Sequence, residues 1–153
     1  MWFLTGYGKS LCYQLLTFLF DHNHGRIGTP EANLSVSVVI IVSPLVSLMI
    51  DQVSSLLSRG ISAAILSGNS GVEKKYLANK RDIMTGRYRL LYSCSDAIVV
   101  SERWKQLLLE PPLSDTVVTV AVDEAHCVYK INGKYNSTEP FYSNFSVHVL
   151  CFL

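Results

Sequence analysis

Two short strings in this sequence combine residue types suited to nucleotide chemistry. The first is Thr5-Gly6-Tyr7-Gly8-Lys9-Ser10. Glycines let successive backbone N–H groups turn inward and approach phosphates without a Cβ clash. Lys9 would place a compact positive charge on the β- and γ-phosphates of a nucleotide, and the Ser10 hydroxyl would ligate Mg²⁺. A helix beginning at this point adds its N-terminal dipole to the same anion. The full pattern asks for Gly where Phe3 stands, so a Gly-rich turn before an ordinary helix would read similarly. The second string is Asp123-Glu124-Ala125-His126, immediately after the apolar run VVTVAV. An acidic residue at the mouth of a buried strand can hold Mg²⁺, and a second can orient the attacking water. The two strings together point to a nucleotide hydrolase using Mg²⁺.

A third segment, Ser43-Pro44-Leu45 with Ser47, is suited to a nucleic-acid backbone. Ser43 and Ser47 offer hydroxyls, and a helix starting near Leu45 presents free N–H groups to phosphate. An ordinary buried helix with a Ser-Pro start fits the same residues. Asp51-Gln52 reads equally well as a functional pair or as an exposed helix face. His22 and His24 read as solvated loop residues rather than a metal site. The Lys74 to Arg81 cluster reads as a solvated helix face, and Trp2 and Trp104 as packing residues rather than stacking platforms.

The elements that must position these residues alternate. Lys9 to about Phe20 has helical spacing, with Leu11, Leu15, Phe18 and Leu19 on one face. Asp21 to Asn33 reads as a loop. Ser35 to Val42 is a continuous β-branched run, the pattern of a strand buried on both faces. Helical spacing returns from Leu45 to Ser58. A short strand over Ile61–Leu66, a charged helix over Val72–Met84, a strand over Arg89–Ser93 and a helix over Ala97–Leu109 follow. Pro111-Pro112 then separates that helix from a last buried strand, Val117–Val122. This alternation predicts an α/β fold, a doubly wound parallel sheet with helices on both faces. Ligands in such sheets collect at the carboxyl ends of strands, where Ser43 and Asp123 fall.

Composition narrows the classes. The 153 residues suit one domain. Charged residues are only 16%, against about 25% in an ordinary soluble domain, while 49% are hydrophobic. Such a chain has the means to build a core and is not disordered. A formal net charge of +1 excludes nucleic-acid binding by bulk charge alone. The four cysteines include no Cys-x-x-Cys pair, so neither a disulfide framework nor a zinc site is expected, and the thiols read as reduced and mostly buried. The longest apolar stretch, Val36 to Ile50, falls short of the roughly 18–20 residues of a membrane span. No membrane association is expected, and the protein reads as intracellular.

The strings TGYGKSLCYQ (Thr5 to Gln14), VSPLVSLMIDQV (Val42 to Val53) and DEAHC (Asp123 to Cys127) resemble, in order and spacing, motifs I, Ia and II of RecQ-like ATP-dependent DNA helicases of superfamily 2. The resemblance implies a partial RecA-like P-loop NTPase domain over residues 1–127, followed by an atypical tail over 128–153. It implies nucleotide contacts from Thr5, Gly6, Tyr7, Gly8, Lys9 and Ser10, with Mg²⁺ held by Ser10 and Asp123. Glu124 would be the catalytic base, and His126 would couple nucleotide state to DNA. Ser43, Pro44, Leu45 and Ser47 would grip single-stranded or forked DNA, and the setting would be the nucleus. Family members add a second lobe that supplies an arginine to the transition state, a zinc module and a winged helix, none of which is expected within these residues. Leu4 stands where the family usually has Pro, and Ser95-Asp96 where it has Pro-Glu. The implied activity is 3′-to-5′ unwinding by the intact protein. The alternative is a catalytically inactive lobe that only binds nucleic acid or protein.

Overall fold

The structure, a computed structural model, describes residues 8–24, 37–66, 72–94, 102–111, 113–123 and 148–151. Its helices are α1 (Lys9–Asn23), α2 (Val46–Ser58), α3 (Lys80–Met84), α4 (Glu102–Leu109) and α5 (Leu113–Thr116). Its strands are β1 (Val38–Val42), β2 (Ala63–Leu66), β3 (Leu90–Ser93), β4 (Val117–Val122) and β5 (His148–Cys151). The five strands form one sheet in the order β2-β3-β1-β4-β5, and every neighbouring pair is parallel.

The central strand explains why the sheet forms. All five residues of β1 are buried, so the run VVIIV needs cover on both faces, which is the condition that favours parallel sheets. Ile40 pairs with Leu91 on one side and Val120 on the other. Alternation along β1 then divides the core in two. Val38, Ile40 and Val42 pack with Ile83, Trp104 and Leu108 from α3 and α4, whereas Val39 and Ile41 pack with Tyr13, Met49 and Val53 from α1 and α2. Burying a side chain such as Ile40 or Ile41, each at 0% exposure, stabilises by about 1.5–3 kcal/mol. Helices on both faces of a parallel sheet make this the doubly wound α/β architecture expected from the alternation. Trp104 is a core residue, as expected, while Trp2 lies outside the described residues.

Several local expectations change. Residues 72–84 are not one helix. A 3₁₀ turn over Lys74–Tyr76 is followed by Leu77 bridged to Ile65, and Ala78 N–H donates to the Ile65 carbonyl at 2.9 Å. That pairing pulls the chain extended beside β2. Asn79 then restarts a helix by accepting from the Asp82 amide at 2.8 Å, a side-chain N-cap. The charged residues Lys74, Lys75, Lys80 and Arg81 remain on the exposed side.

α1 also runs three residues further than the sequence pattern implied, to Asn23, because Asp21 is a buried anchor rather than a loop residue. Its carboxylate accepts from the Ser37 amide at 2.9 Å and from Arg89 Nη1 at 2.5 Å. Its apolar face is reversed as well. Leu11, Leu15 and Leu19 are 52%, 45% and 55% exposed, while Tyr13, Thr17 and Asp21 are the buried residues. Between Pro111 and β4, the four-residue α5 replaces a simple break. Cys12 is exposed and Cys94 half-buried, both free, so these two thiols are less buried than composition implied. The first residues of the expected helix over 97–109, and those of the expected strand before Ser37, lie outside the described residues.

Candidate nucleotide and nucleic-acid site

The carboxyl ends of β1, β3 and β4 lie side by side and set the floor of the site. Ser43 N–H donates to the Ser93 carbonyl at 2.9 Å, and Asp123 N–H to the Val42 carbonyl at 2.8 Å. The ladder is therefore maintained to its last residue, which fixes Asp123 at the rim. Asp123 is only 5% exposed. Beside it stands the first turn of α1. Gly8 is the N-cap, with φ of 78°, a left-handed conformation that glycine adopts without Cβ strain. Its carbonyl accepts from Leu11 N–H at 3.0 Å. Gly8 offers no side chain to cap this end of the helix, the arrangement in which a helix N-terminus receives an anion. Lys9 and Ser10 occupy that turn, half-buried.

Tyr13 joins the two halves. Its phenol, fully buried, donates to Asp123 Oδ2 at 3.3 Å across 110 residues of sequence, and it lies one helical turn after Ser10. Burial pushes the Tyr13 phenol well above its ordinary range, and the neighbouring Asp123 charge pushes the same way. Tyr13 is therefore a neutral donor at any physiological pH. Tyr92, on β3, is pushed up to about 12, again by burial. On the side toward α2, Gln14 Nε2 donates to Gln52 Oε1 at 2.6 Å and to Tyr92 Oη at 3.3 Å. Gln52 Nε2 donates in turn to Ser10 Oγ at 3.2 Å.

The expected residues fall as follows. Gly8, Lys9, Ser10 and Asp123 come together at one end of the sheet, while Thr5, Gly6, Tyr7, Glu124 and His126 lie outside the described residues. Ser43, Pro44, Leu45 and Ser47 lie at the same edge, between β1 and α2. Ser47 is exposed and Leu45 is 55% exposed, but Ser43 is at 1% and its Oγ has no hydrogen-bond partner among the described residues. The Ser43 hydroxyl therefore lies inside the sheet end, because residue 43 still belongs to the buried continuation of β1. Sequence reasoning did not single out Tyr13, Gln14 or Tyr92, and it left Gln52 undecided. The signal was present in the adjacency of Tyr13-Gln14 to Gly8-Lys9-Ser10, where two polar side chains sit in the first turns of a helix otherwise rich in leucine.

The donor chemistry suits a hard cation. The Ser10 hydroxyl and the Asp123 carboxylate are oxygen ligands of the kind Mg²⁺ takes, with phosphates and water completing the shell. Among the described residues no cluster of three or more His, Cys, Asp or Glu could hold a metal unaided, as is usual where the substrate supplies part of the coordination.

A parallel doubly wound sheet, a glycine-capped helix bearing Lys9-Ser10, and an acidic residue at the end of the neighbouring strand define a P-loop, RecA-like nucleotide-binding domain. A family model of the DEAD/DEAH box helicases matches residues 3–148, and the chain belongs to that family. It is 38% identical over 125 residues to the ATP-dependent helicase wrn-1 of Caenorhabditis elegans, a match covering 81% of this chain and 10% of that protein. It is 34% identical over 125 residues to the ATP-dependent helicase SGS1 of Saccharomyces cerevisiae, covering 81% of this chain and 8% of that protein. With the ATP-dependent DNA helicase RecQ of Bacillus subtilis it shares 31% identity over 144 residues, 94% of this chain and 20% of that protein. The chain thus spans a fifth or less of the length of these curated relatives. No described helix is long and apolar enough to cross a membrane.

Proposed function

We propose that this chain forms part of the first RecA-like lobe of an ATP-dependent, 3′-to-5′ DNA helicase of RecQ type. The observation that carries the reading is the bond from the Tyr13 phenol to Asp123, which holds the α1 turn of Ser10 beside Asp123. Ser10 and Asp123 are the two residues a phosphate loop and an acidic strand end would offer to the same Mg²⁺. In this reading Lys9 neutralises the β- and γ-phosphates, and the Gly6–Gly8 backbone cradles them. Ser10 and Asp123 hold the Mg²⁺, which would offset charge on the phosphates. Glu124 positions the attacking water and accepts its proton, and His126 relays the state of the site toward DNA. Single-stranded or forked DNA would lie along the α2 entrance, where Ser47 and the first N–H groups of α2 meet its backbone.

Transition-state charge on the transferring phosphate is commonly met by an arginine, worth about 10³–10⁵ in rate. In the intact helicase that arginine would come from a second lobe, so unwinding belongs to the intact protein. The 153-residue chain is expected to bind Mg-nucleotide weakly and not to unwind DNA. Titration with a fluorescent ATP analogue, with and without Mg²⁺, tests this. Lys9→Ala should weaken binding about tenfold or more, equivalent to ~1.4 kcal/mol. Failure of the unaltered chain to bind any Mg-nucleotide would refute the reading and favour a lobe that acts by binding alone.

A further inference from the structure

The hydrogen bonds around Ser10 define what its hydroxyl can still offer. A serine hydroxyl has one proton and two lone pairs. Here one lone pair takes the N–H of Gln52 Nε2 at 3.2 Å. The second lone pair is the one a cation would use. Gln52 can donate in this direction only because its amide is held the right way round. Gln14 Nε2 donates to Gln52 Oε1 at 2.6 Å, which turns the Gln52 Nε2 toward Ser10. The other proton of the Gln14 amide goes to Tyr92 Oη at 3.3 Å, so both of its donors are used and its own orientation is fixed. From Gln14 the bonds run in one direction, through Gln52 to the Ser10 hydroxyl.

Gln52 also belongs to α2, the helix whose first turn follows Ser43-Pro44-Leu45. It lies less than two turns from that entrance and half-buried against α1. We propose that Gln52, oriented by Gln14, is a positioning residue that sets the Ser10 hydroxyl for Mg²⁺ and thereby couples α2 to the nucleotide end of α1. The inference rests on the nucleotide reading above. A shift of α2 by about an ångström stretches the 3.2 Å contact beyond hydrogen-bonding range, and the Ser10 hydroxyl is then free to rotate. Whatever moves α2 is thus felt at the metal ligand without passing through the sheet.

The test is the Mg²⁺ requirement for nucleotide binding, measured with a non-hydrolysable fluorescent ATP analogue on the 153-residue chain. Gln52→Met keeps the side-chain volume and removes both hydrogen bonds. It should raise the half-saturating Mg²⁺ concentration about two- to tenfold, the effect of one partly buried hydrogen bond, and leave affinity in EDTA unchanged. Gln14→Met should act in the same direction and more weakly. The double variant should fall short of the product of the two, because both act through one contact. If Gln52→Met does not fold, as judged by its melting transition, Gln14→Met alone decides the matter. An unchanged Mg²⁺ requirement overturns the inference while leaving the nucleotide reading intact. So does an affinity lost equally with and without Mg²⁺. An unaltered chain that binds no nucleotide in Mg²⁺ overturns both.

Discussion

Replacing Asp21 by asparagine tests how α1 is held at the end remote from Ser10. Asp21 is 3% exposed at its side chain and is bonded to Arg89, whose side chain is 25% exposed. Arg89 also lies over the Phe18 ring at 4.9 Å from its centroid. Breaking a fully buried ion pair by removing one partner costs about 3–5 kcal/mol. Water reaches a quarter of Arg89, which lowers that figure, and the amide oxygen of the substituted side chain can still accept from the Ser37 N–H. We therefore expect about 2–3 kcal/mol, equivalent to a melting temperature roughly 4–12 °C lower for a domain of this size. Asp21→Ala also strands the Ser37 amide and should cost about 1 kcal/mol more.

The pH dependence of Asp21→Asn has a defined sign. Burial alone would raise the Asp21 carboxyl, but hydrogen bonds from Ser37 and the pairing with Arg89 outweigh it and hold the group below its ordinary 3.8. A depressed pKa contributes stability that is complete above the unfolded value and is lost as pH falls through the folded one. The gap between the unaltered chain and Asp21→Asn should therefore be constant above about pH 5 and close below about pH 4. Urea unfolding across roughly pH 3–8 measures it. A gap under about 0.5 kcal/mol at neutral pH, the scatter of ordinary surface changes, would refute the anchoring role.

Other expectations are simpler. Tyr13→Phe removes the bond to Asp123; at 3.3 Å it is longer than a strong hydroxyl–carboxylate bond. It should cost about 1 kcal/mol of stability by urea unfolding, and it should weaken Mg-nucleotide binding more than binding in EDTA. Asn79→Ala removes the cap of α3 and should cost about 1 kcal/mol in the same assay. Ile40→Ala empties the centre of β1 and should cost about 2–5 kcal/mol. Leu15→Gln should change stability by less than about 0.5 kcal/mol, because that leucine is exposed despite its helical spacing with Leu11 and Leu19.

The central strands β1 and β4 were legible because they are buried on both faces, whereas β5 at the sheet edge had no counterpart among the expected elements. Runs such as VVIIV and VVTVAV need no partner information to be recognised, and β4 has the expected ends. The helices were less legible because their boundaries depend on side-chain bonds made at a distance. α1 continues to Asn23 on account of Arg89, 68 residues beyond Asp21, and no local pattern announces that. Residues 72–84 look helical by charge and spacing, yet the bridge of Leu77 to Ile65 overrides them. The site divides the same way. Gly8, Lys9, Ser10 and Asp123 were recognisable because their chemistry is local to each string. Gln52 acquires a role only when folding places it against Ser10, and Ser43 leaves the accessible surface only when β1 is seen to carry its burial one residue past its end.

The face that α1 turns inward has a further consequence. Tyr13, Thr17 and Asp21 face the sheet, and Thr17 Oγ1 finds no hydrogen-bond partner among the described residues, while Leu11, Leu15 and Leu19 face out. The helix presenting Lys9 and Ser10 is therefore seated by directional bonds together with a narrow apolar contact through Tyr13 and Leu16. Such a seat is specific in angle and weak against opening. Backbone amides of α1 should exchange with solvent deuterium well before those of β1 and β4, as a unit that opens without the sheet. A phosphate group arriving at the N-terminus of α1 would then act as a clasp, slowing exchange along a helix about 22 Å long although it touches only the first turn.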